Sequence, residues 1–344
     1  MKKKSGIKNI FIIAEISSNH NNNFLRTKKL IKAISKTGVD AVKFQTFEPD
    51  EMTLNINNRN FKINEKKSLW KGRKLFDLYK ESSMNWQWQK KLFTYARKCK
   101  LLPFSTPFGE NSLKFLKRQK CKIYKIASLE NSHFPLLKSL AKTGKPIIIS
   151  TGSATEKEIE ESIKYLRHNG CKDITILKCT SVYPAKPSDL NLSAIPYLKK
   201  KFNCKVGFSD HSKGITSTLA AIAIGAEVIE KHVKLNENDK SLDSKFSITV
   251  KELKDLVLKA NQIKESMGKN YFLTKSEKYA RSRRRSIITI RNISKNERLS
   301  EKNIKVLRPN IGLNPKYYEY VIGKKINRQI KIGSPIKISF LKKK

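Results

Sequence analysis

The feature that most restricts the fold is a rhythm. From Phe11 to Val233, short apolar runs rich in β-branched residues alternate with amphipathic helical patterns, and each run closes on polar residues. The runs are FIIAEIS, AVKFQTF, LLPFSTPF, IYKIAS, PIIISTG, ITILKCTS, KVGFSDHS and VIEKHV. Strands alternating with helices in this way specify βα units and a parallel sheet. Eight units in roughly 250 residues predict an α/β fold, a (β/α)8 TIM barrel, in which reactive groups gather at the carboxyl ends of the strands. An open doubly wound sheet is the alternative, but it has no need of polar residues at all eight strand ends.

Those ends read, in order, Glu15 with Asn19 and His20; Lys43 and Gln45; Ser105 and Thr106; Lys125 and Ser128; Ser150 and Thr151; Thr180, Ser181 and Tyr183; Ser209 and His211; Glu230 and His232. Side chains alternate along a strand. Ser209 and His211 therefore share one face, as do Glu230 and His232, while Asp210 and Lys231 point the other way. Two imidazoles on adjacent strand ends can converge on one point.

The chain of 344 residues is longer than the barrel requires. The barrel is expected over residues 1–265, a linker carrying the basic run Arg281–Arg285 over 266–285, and a small β-rich domain of short strands and turns over 286–344. Between the second and third strands, the stretch from Glu48 to Ser83 is too long for a plain loop, and Trp70, Phe76, Leu78 and Tyr79 give it the means to pack as a lid. The run Ser247-Ile-Thr-Val-Lys-Glu is expected to open the last barrel helix.

A net charge of +44 invites a nucleic-acid reading. The lysines, however, are spread over nearly every predicted helix and turn, and neither a recognition helix nor an aromatic platform accompanies them, so no nucleic-acid partner is expected. Cys99, Cys121, Cys171, Cys179 and Cys204 show no metal-binding spacing and read as free thiols of a reducing compartment. No stretch approaches the roughly 20 apolar residues needed to span a bilayer, and the apolar run near the N-terminus carries Glu15 and lacks a cleavage site. A cytoplasmic protein with no membrane partner is the expectation.

Lys43 and Lys125, with hydroxyls at Thr106, Ser128, Ser150 and Ser209, suit a ligand carrying phosphate and carboxylate, because ammonium groups neutralise its charge and hydroxyls satisfy the remaining oxygens. No P-loop or GxGxxG accompanies them, which favours a small phosphorylated metabolite over a nucleotide. His211 and His232 alone make an open metal site, completed by oxygen ligands and suited to Mn2+ or Mg2+. Glu15, Glu230 and Asp243 supply carboxylates nearby.

Taken together, FIIAEISSNHN, DAVKFQTF, STPF, YKIAS, STG, CTSVYP, GFSDHS and EKH resemble, in order and spacing, the sialic acid synthase family, and the segment after Arg285 resembles that family's C-terminal antifreeze-like (SAF) domain. SLWKGRKLFDLYKES, LDSKFS and RPNIGLNPKYYEYVIGKK look most like its pseudaminic acid synthase branch. The resemblance implies condensation of phosphoenolpyruvate with an N-acetylated amino sugar, here 2,4-diacetamido-2,4,6-trideoxy-L-altrose, in a domain-swapped homodimer. It further implies that His211 and His232 hold a divalent metal. Lys43, Thr106, Lys125, Ser128, Ser150, Ser181 and Ser209 would surround phosphoenolpyruvate, and Glu15 would be the catalytic carboxylate. Gln45, Tyr183, Glu230, Asp243 and, from a neighbouring subunit, Arg308 would meet the acceptor sugar. Phe246 would cover the sugar's apolar methyl. Asn22 stands where the family has glycine, and asparagine tolerates the left-handed backbone such a turn needs. The sibling sialic and legionaminic acid synthases, a basic nucleic-acid-binding protein and a non-catalytic sugar-binding barrel are the competing readings.

Overall fold

A computed structural model describes residues 10–65, 68–268 and 273–342. It divides into two units, residues 1–268 and 269–344.

The first unit is a closed barrel of parallel strands: β1 (Phe11–Glu15), β2 (Ala41–Thr46), β3 (Leu102–Pro107), β4 (Tyr124–Ile126), β5 (Ile147–Ser150), β6 (Ile174–Cys179), β7 (Lys205–Asp210) and β8 (Val228–Lys234). Each pairs with the next, and β1 closes the ring on β8 with Glu15 beside both Lys43 and His232. The helices α1 (Phe24–Ile34), α2 (Pro49–Met52), α3 (Leu75–Ser82), α4 (Trp86–Lys98), α5 (Glu110–Arg118), α6 (Phe134–Ala141), α7 (Glu156–His168), α8 (Ala194–Phe202), α9 (Thr216–Ala223) and α10 (Val250–Ser266) follow in chain order. Because helices cover the outside and side chains fill the inside, strands such as β5 are buried throughout and read as continuous apolar runs. Outward residues pack on the helix layer, as Phe44 does on Phe93 of α4 with ring centroids 5.2 Å apart.

The alternation read from the sequence is realised at β7 and β8. Asp210 and Lys231 face outward as a buried ion pair of 3.0 Å. Thr218 of α9 donates to Asp210 at 2.5 Å, and the Ser212 amide donates to its other oxygen at 2.7 Å. A buried charge pair survives when its remaining lone pairs are satisfied.

The last barrel helix starts within the run expected to open it. Its cap is Thr249: the Thr249 hydroxyl accepts from the Glu252 amide, and Glu252 reaches back to the Thr249 amide. This capping box is placed by a further strand, β9 (Ile248–Thr249), which pairs with β8. Ser247 is drawn to the carbonyl of Asp243.

The excursion between β2 and β3 lies over the strand ends. Glu51 of α2 accepts from the Asn111 and Ser112 amides at the start of α5, both at 3.0 Å. Gly109 permits this approach, since a Cβ there would stand 2.4 Å from the Glu51 carboxylate. At the other end, His20 donates through Nε2 to the Ser82 carbonyl at 3.2 Å while Nδ1 accepts from the Asn22 amide at 2.9 Å. Asn21 and Asn22 hold φ of 47° and 45°, so asparagine does take the left-handed turn.

That pairing needs a neutral imidazole, and burial pushes the His20 pKa below its ordinary 6.5. As pH falls below about 6.5 an opened lid takes up the proton first, so the tie weakens; above that value it is intact. Amide exchange over residues 79–83, corrected for intrinsic rate, is expected to show more frequent opening at pH 5.5 than at pH 7.5, with the dependence flattened in His20→Gln. A flat wild-type profile would remove this role.

The second unit has its own core of Ile287, Ile293, Leu299, Ile304, Val321, Ile326, Ile330, Ile336 and Leu341. It contains α11 (Lys275–Ala280), the antiparallel pair β10 (Ser286–Thr289) and β11 (Ile304–Leu307), and α12 (Tyr318–Val321). Among the described residues no helix is long and apolar enough to cross a membrane, and all five cysteines are unpaired.

Candidate active site

Five strands deliver one charged network into the barrel. Glu15 at the end of β1 forms an ion pair through Oε2 with the Lys43 ammonium, and its Oε1 accepts from the Ser17 amide at 2.6 Å. Lys43 also lies 3.4 Å from Glu230 Oε1 on β8 and donates to Thr106 of β3 at 3.3 Å. Ser209 of β7 donates to the same Glu230 oxygen at 3.3 Å. All five are buried. Burial opposes charge on Lys43, yet Glu15 and Glu230 outweigh it and hold its pKa above the usual range. Burial likewise opposes charge on Glu230, but Lys43, Lys125 and the two histidines bring its carboxyl down to about 2. Its Oε2 is buried without a hydrogen-bond partner, which leaves an acceptor aimed into the site.

Beside this network lies a second group rich in hydroxyls. Lys125 of β4 donates to Ser150 Oγ of β5 at 2.6 Å and to the Ile126 carbonyl at 2.7 Å. Burial lowers its pKa, so it is a cation that gains from an anionic ligand. The Gly152 amide donates to Ser128 Oγ at 3.1 Å, and Ser181 Oγ is buried without a partner. A Cβ on residue 152 would lie 2.2 Å from Ser181 Oγ and 2.8 Å from Ser128 Oγ. Glycine therefore keeps two hydroxyls and a backbone amide close together, an arrangement suited to phosphate oxygens. Gln45, half-buried, shares the inward face of β2 with Lys43 and is in register with Thr106.

The histidines meet as the strand alternation requires, with ring centroids 5.3 Å apart. His211 Nδ1 lies 3.0 Å from the Thr180 carbonyl. A carbonyl can only accept, so the proton is on Nδ1 and the Nε2 lone pair is free to bind a metal. His232 Nδ1 is buried without a hydrogen-bond partner, its nearest carboxylate oxygen being Asp243 Oδ2 at 3.6 Å. Among the described residues no group of three or more His, Cys, Asp and Glu side chains is gathered as a cage. A two-imidazole donor set with free lone pairs fits a divalent cation that takes its other ligands from water or substrate. Tyr183 packs on His211, 4.5 Å from its ring, and Trp70 of the lid packs 6.0 Å from Tyr183.

Sequence reasoning passed over two residues. Glu130, two positions beyond Ser128, is half-buried with its Oε2 out of contact with solvent, and burial pushes its pKa up to about 7 against the pull of Lys125. Cys179 lies 3.8 Å from His211 Nδ1; burial acts against its thiolate, but His211 brings it down to about 7. Asn19, polar and at a strand end, also donates to Ser247 and to the Val233 carbonyl and so ties β8 and the β8–β9 loop to the end of β1. The signal for Glu130 was its place at a strand end; burial at that place is not written in the chain. Arg308 stands exposed just after β11 in the second unit.

With this geometry in place, comparison with known proteins is decisive. A NeuB family model matches residues 30–271. The chain belongs to the NeuB family. A SAF domain model matches residues 284–342, so this NeuB-family chain joins a barrel to a SAF domain. It is 41% identical over 332 residues, 96% of both chains, to the pseudaminic acid synthase of Campylobacter jejuni. It is 39% identical to that of Helicobacter pylori, over 94% of this chain and 96% of the other. The N,N'-diacetyllegionaminic acid synthase of C. jejuni is 38% identical over 92% of this chain and 96% of its own. Among solved structures, the sialic acid synthetase of Leptospira borgpetersenii superposes with a TM-score of 0.71 at 30% identity, covering 81% of this chain and 94% of that one.

Proposed function

We propose that the chain is a pseudaminic acid synthase, condensing phosphoenolpyruvate with 2,4-diacetamido-2,4,6-trideoxy-L-altrose to give pseudaminic acid and phosphate. The observation that carries this reading is the end-to-end likeness to a pseudaminic acid synthase, 41% identical over 96% of both chains.

Lys43 and Lys125 neutralise phosphoenolpyruvate, and the hydroxyls of Thr106, Ser128, Ser150, Ser181 and Ser209 take its oxygens. Gln45, Tyr183, Glu230 and Asp243 hold the open-chain sugar so that C3 of phosphoenolpyruvate faces the aldehyde carbon. Forming that carbon–carbon bond turns the aldehyde oxygen into a hydroxyl, water adds at C2 of the former phosphoenolpyruvate, and phosphate departs with its bridging oxygen as that C–O bond breaks. Glu15, fixed by Lys43 and the Ser17 amide, is placed to accept a proton from the attacking water. Held by His211 and His232, a bound Mn2+ or Mg2+ supplies Lewis acidity toward the acceptor's carbonyl oxygen.

Incubating the purified protein with phosphoenolpyruvate, Mn2+ and a panel of hexoses, with mass analysis of the products, tests the assignment. Preferential use of N-acetylmannosamine would move the protein to the sialic branch.

Arg308 is assigned to the acceptor's N-acetyl oxygen from the second subunit of a domain-swapped homodimer. Its exposure leaves the guanidinium free to donate in a planar fork. Mixing Arg308→Ala with Glu15→Ala protein is expected to restore part of the activity, because one hybrid site then has both wild-type residues. Verified mixed dimers without recovery would end the trans assignment.

A further inference from the structure

Phe246 lies in the loop between β8 and β9, and its side chain is only 2% exposed. Its ring is in contact with both imidazoles. The centroids are 4.9 Å from His232 and 6.0 Å from His211, with interplanar angles of 69° and 80°, and a third neighbour, Tyr183, is 5.0 Å away. The loop is fixed on either side of this residue: the Phe246 and Ser247 amides donate to the Asp243 carbonyl at 3.3 and 3.2 Å, Ser247 Oγ donates to it at 2.7 Å, and Asn19 donates to Ser247 Oγ at 2.8 Å. Phe246 also lines a largely polar cavity of about 570 Å³ that opens to solvent, with Pro184, Gly214, Lys234 and Ser247 among its walls. Neither imidazole lines that cavity.

We propose that Phe246 is a positioning residue, a partition that fixes the orientation of His211 and His232 and keeps the water of the adjoining cavity away from them. The inference rests on the reading of these histidines as metal ligands. A phenyl ring has no hydrogen-bonding atom, so it restricts the imidazoles sterically while leaving their nitrogens available. Water in its place would hydrogen-bond to His232 Nδ1, which has no hydrogen-bond partner and only the Asp243 carboxylate at 3.6 Å, and would let the ring turn. Groups that orient metal ligands without touching the metal typically matter by 10–100-fold in affinity.

The test compares wild type, Phe246→Ala and Phe246→Leu, each checked for folding by circular dichroism. Carbethoxylation of the metal-free proteins by diethyl pyrocarbonate, followed by peptide mass mapping, reads access to His211 and His232 without reference to activity. Mn2+ titration by electron paramagnetic resonance reads affinity. Phe246→Ala is expected to raise the modification rate of both histidines severalfold and to weaken Mn2+ binding by about 10–100-fold. Phe246→Leu, which retains bulk without the planar ring, is expected to fall between, and it carries the test alone if the alanine variant does not fold. A folded Phe246→Ala protein with wild-type histidine reactivity overturns the partition, whatever its Mn2+ affinity. Wild-type Mn2+ binding that persists in His211→Ala would overturn the metal reading instead, and the carbethoxylation rates would still decide for or against the partition.

Discussion

His211→Ala and His232→Ala are each expected to lower kcat/KM for condensation by on the order of 10³-fold, because a Lewis acid at this point supplies several kcal/mol of charge stabilisation and each ~1.4 kcal/mol is tenfold in rate. Either change leaves a single imidazole to hold the ion. The lone pair of His211 is presented by its contact with the Thr180 carbonyl, and the His232 ring packs against Phe246 with centroids 4.9 Å apart. Among the described residues no group of three or more His, Cys, Asp and Glu side chains is gathered to take over. Exhaustive chelation of the wild type is expected to produce the same loss, reversed by Mn2+. Full activity of either variant at micromolar metal, or chelated wild type that still turns over, would end the metal assignment.

Lys43→Met and Lys125→Met are expected to separate binding from stability. Both should raise the KM for phosphoenolpyruvate by about 10–150-fold, the equivalent of a charge-assisted contact of roughly 1.5–3 kcal/mol, with little change in the KM for the sugar. Their effects on folding should differ. Lys43 lies between Glu15 and Glu230, and its removal leaves two buried carboxylates facing each other, a loss of about 3–5 kcal/mol. Lys125 donates to a hydroxyl and a carbonyl, so its removal strands no paired carboxylate and should cost less. Glu230 also makes the wild type pH-sensitive. Despite burial, the surrounding cations hold its pKa at about 2 against an ordinary 4.5, so its contribution to stability is complete above 4.5 and is lost as pH falls toward 2. Without Lys43 that acid loss should shrink. Equal denaturant midpoints for Lys43→Met and wild type would show that the network contributes nothing to folding, and a shift confined to the sugar's KM would reassign both lysines.

Other parts of the molecule show how far residue order reaches. Asp210 and Lys231 were placed outside the barrel by strand alternation alone, and they pair there. Thr249 caps α10 within the run Ser247–Glu252, as its spacing to Glu252 allows; that the same residue also pairs with β8 through β9 is a contact between segments that no local propensity encodes. Asn22 could be read as tolerant of a left-handed turn; that Asn22 and His20 would tie that turn to residues 81 and 82 of the lid could not.

By itself the sequence determined the barrel, the order of its strands and which residues stand at their mouths, because βα rhythm and two-residue alternation are local properties of the chain. Only the tertiary structure decided which of those residues act on one another. Glu15, Lys43 and Glu230 form one network, Lys125 turns to Ser150, and Phe246 stands against two imidazoles. These are distances across a closed barrel between segments remote in the chain, and burial, which moves the pKa of Lys125 down and that of Glu130 up, exists only once the barrel has closed.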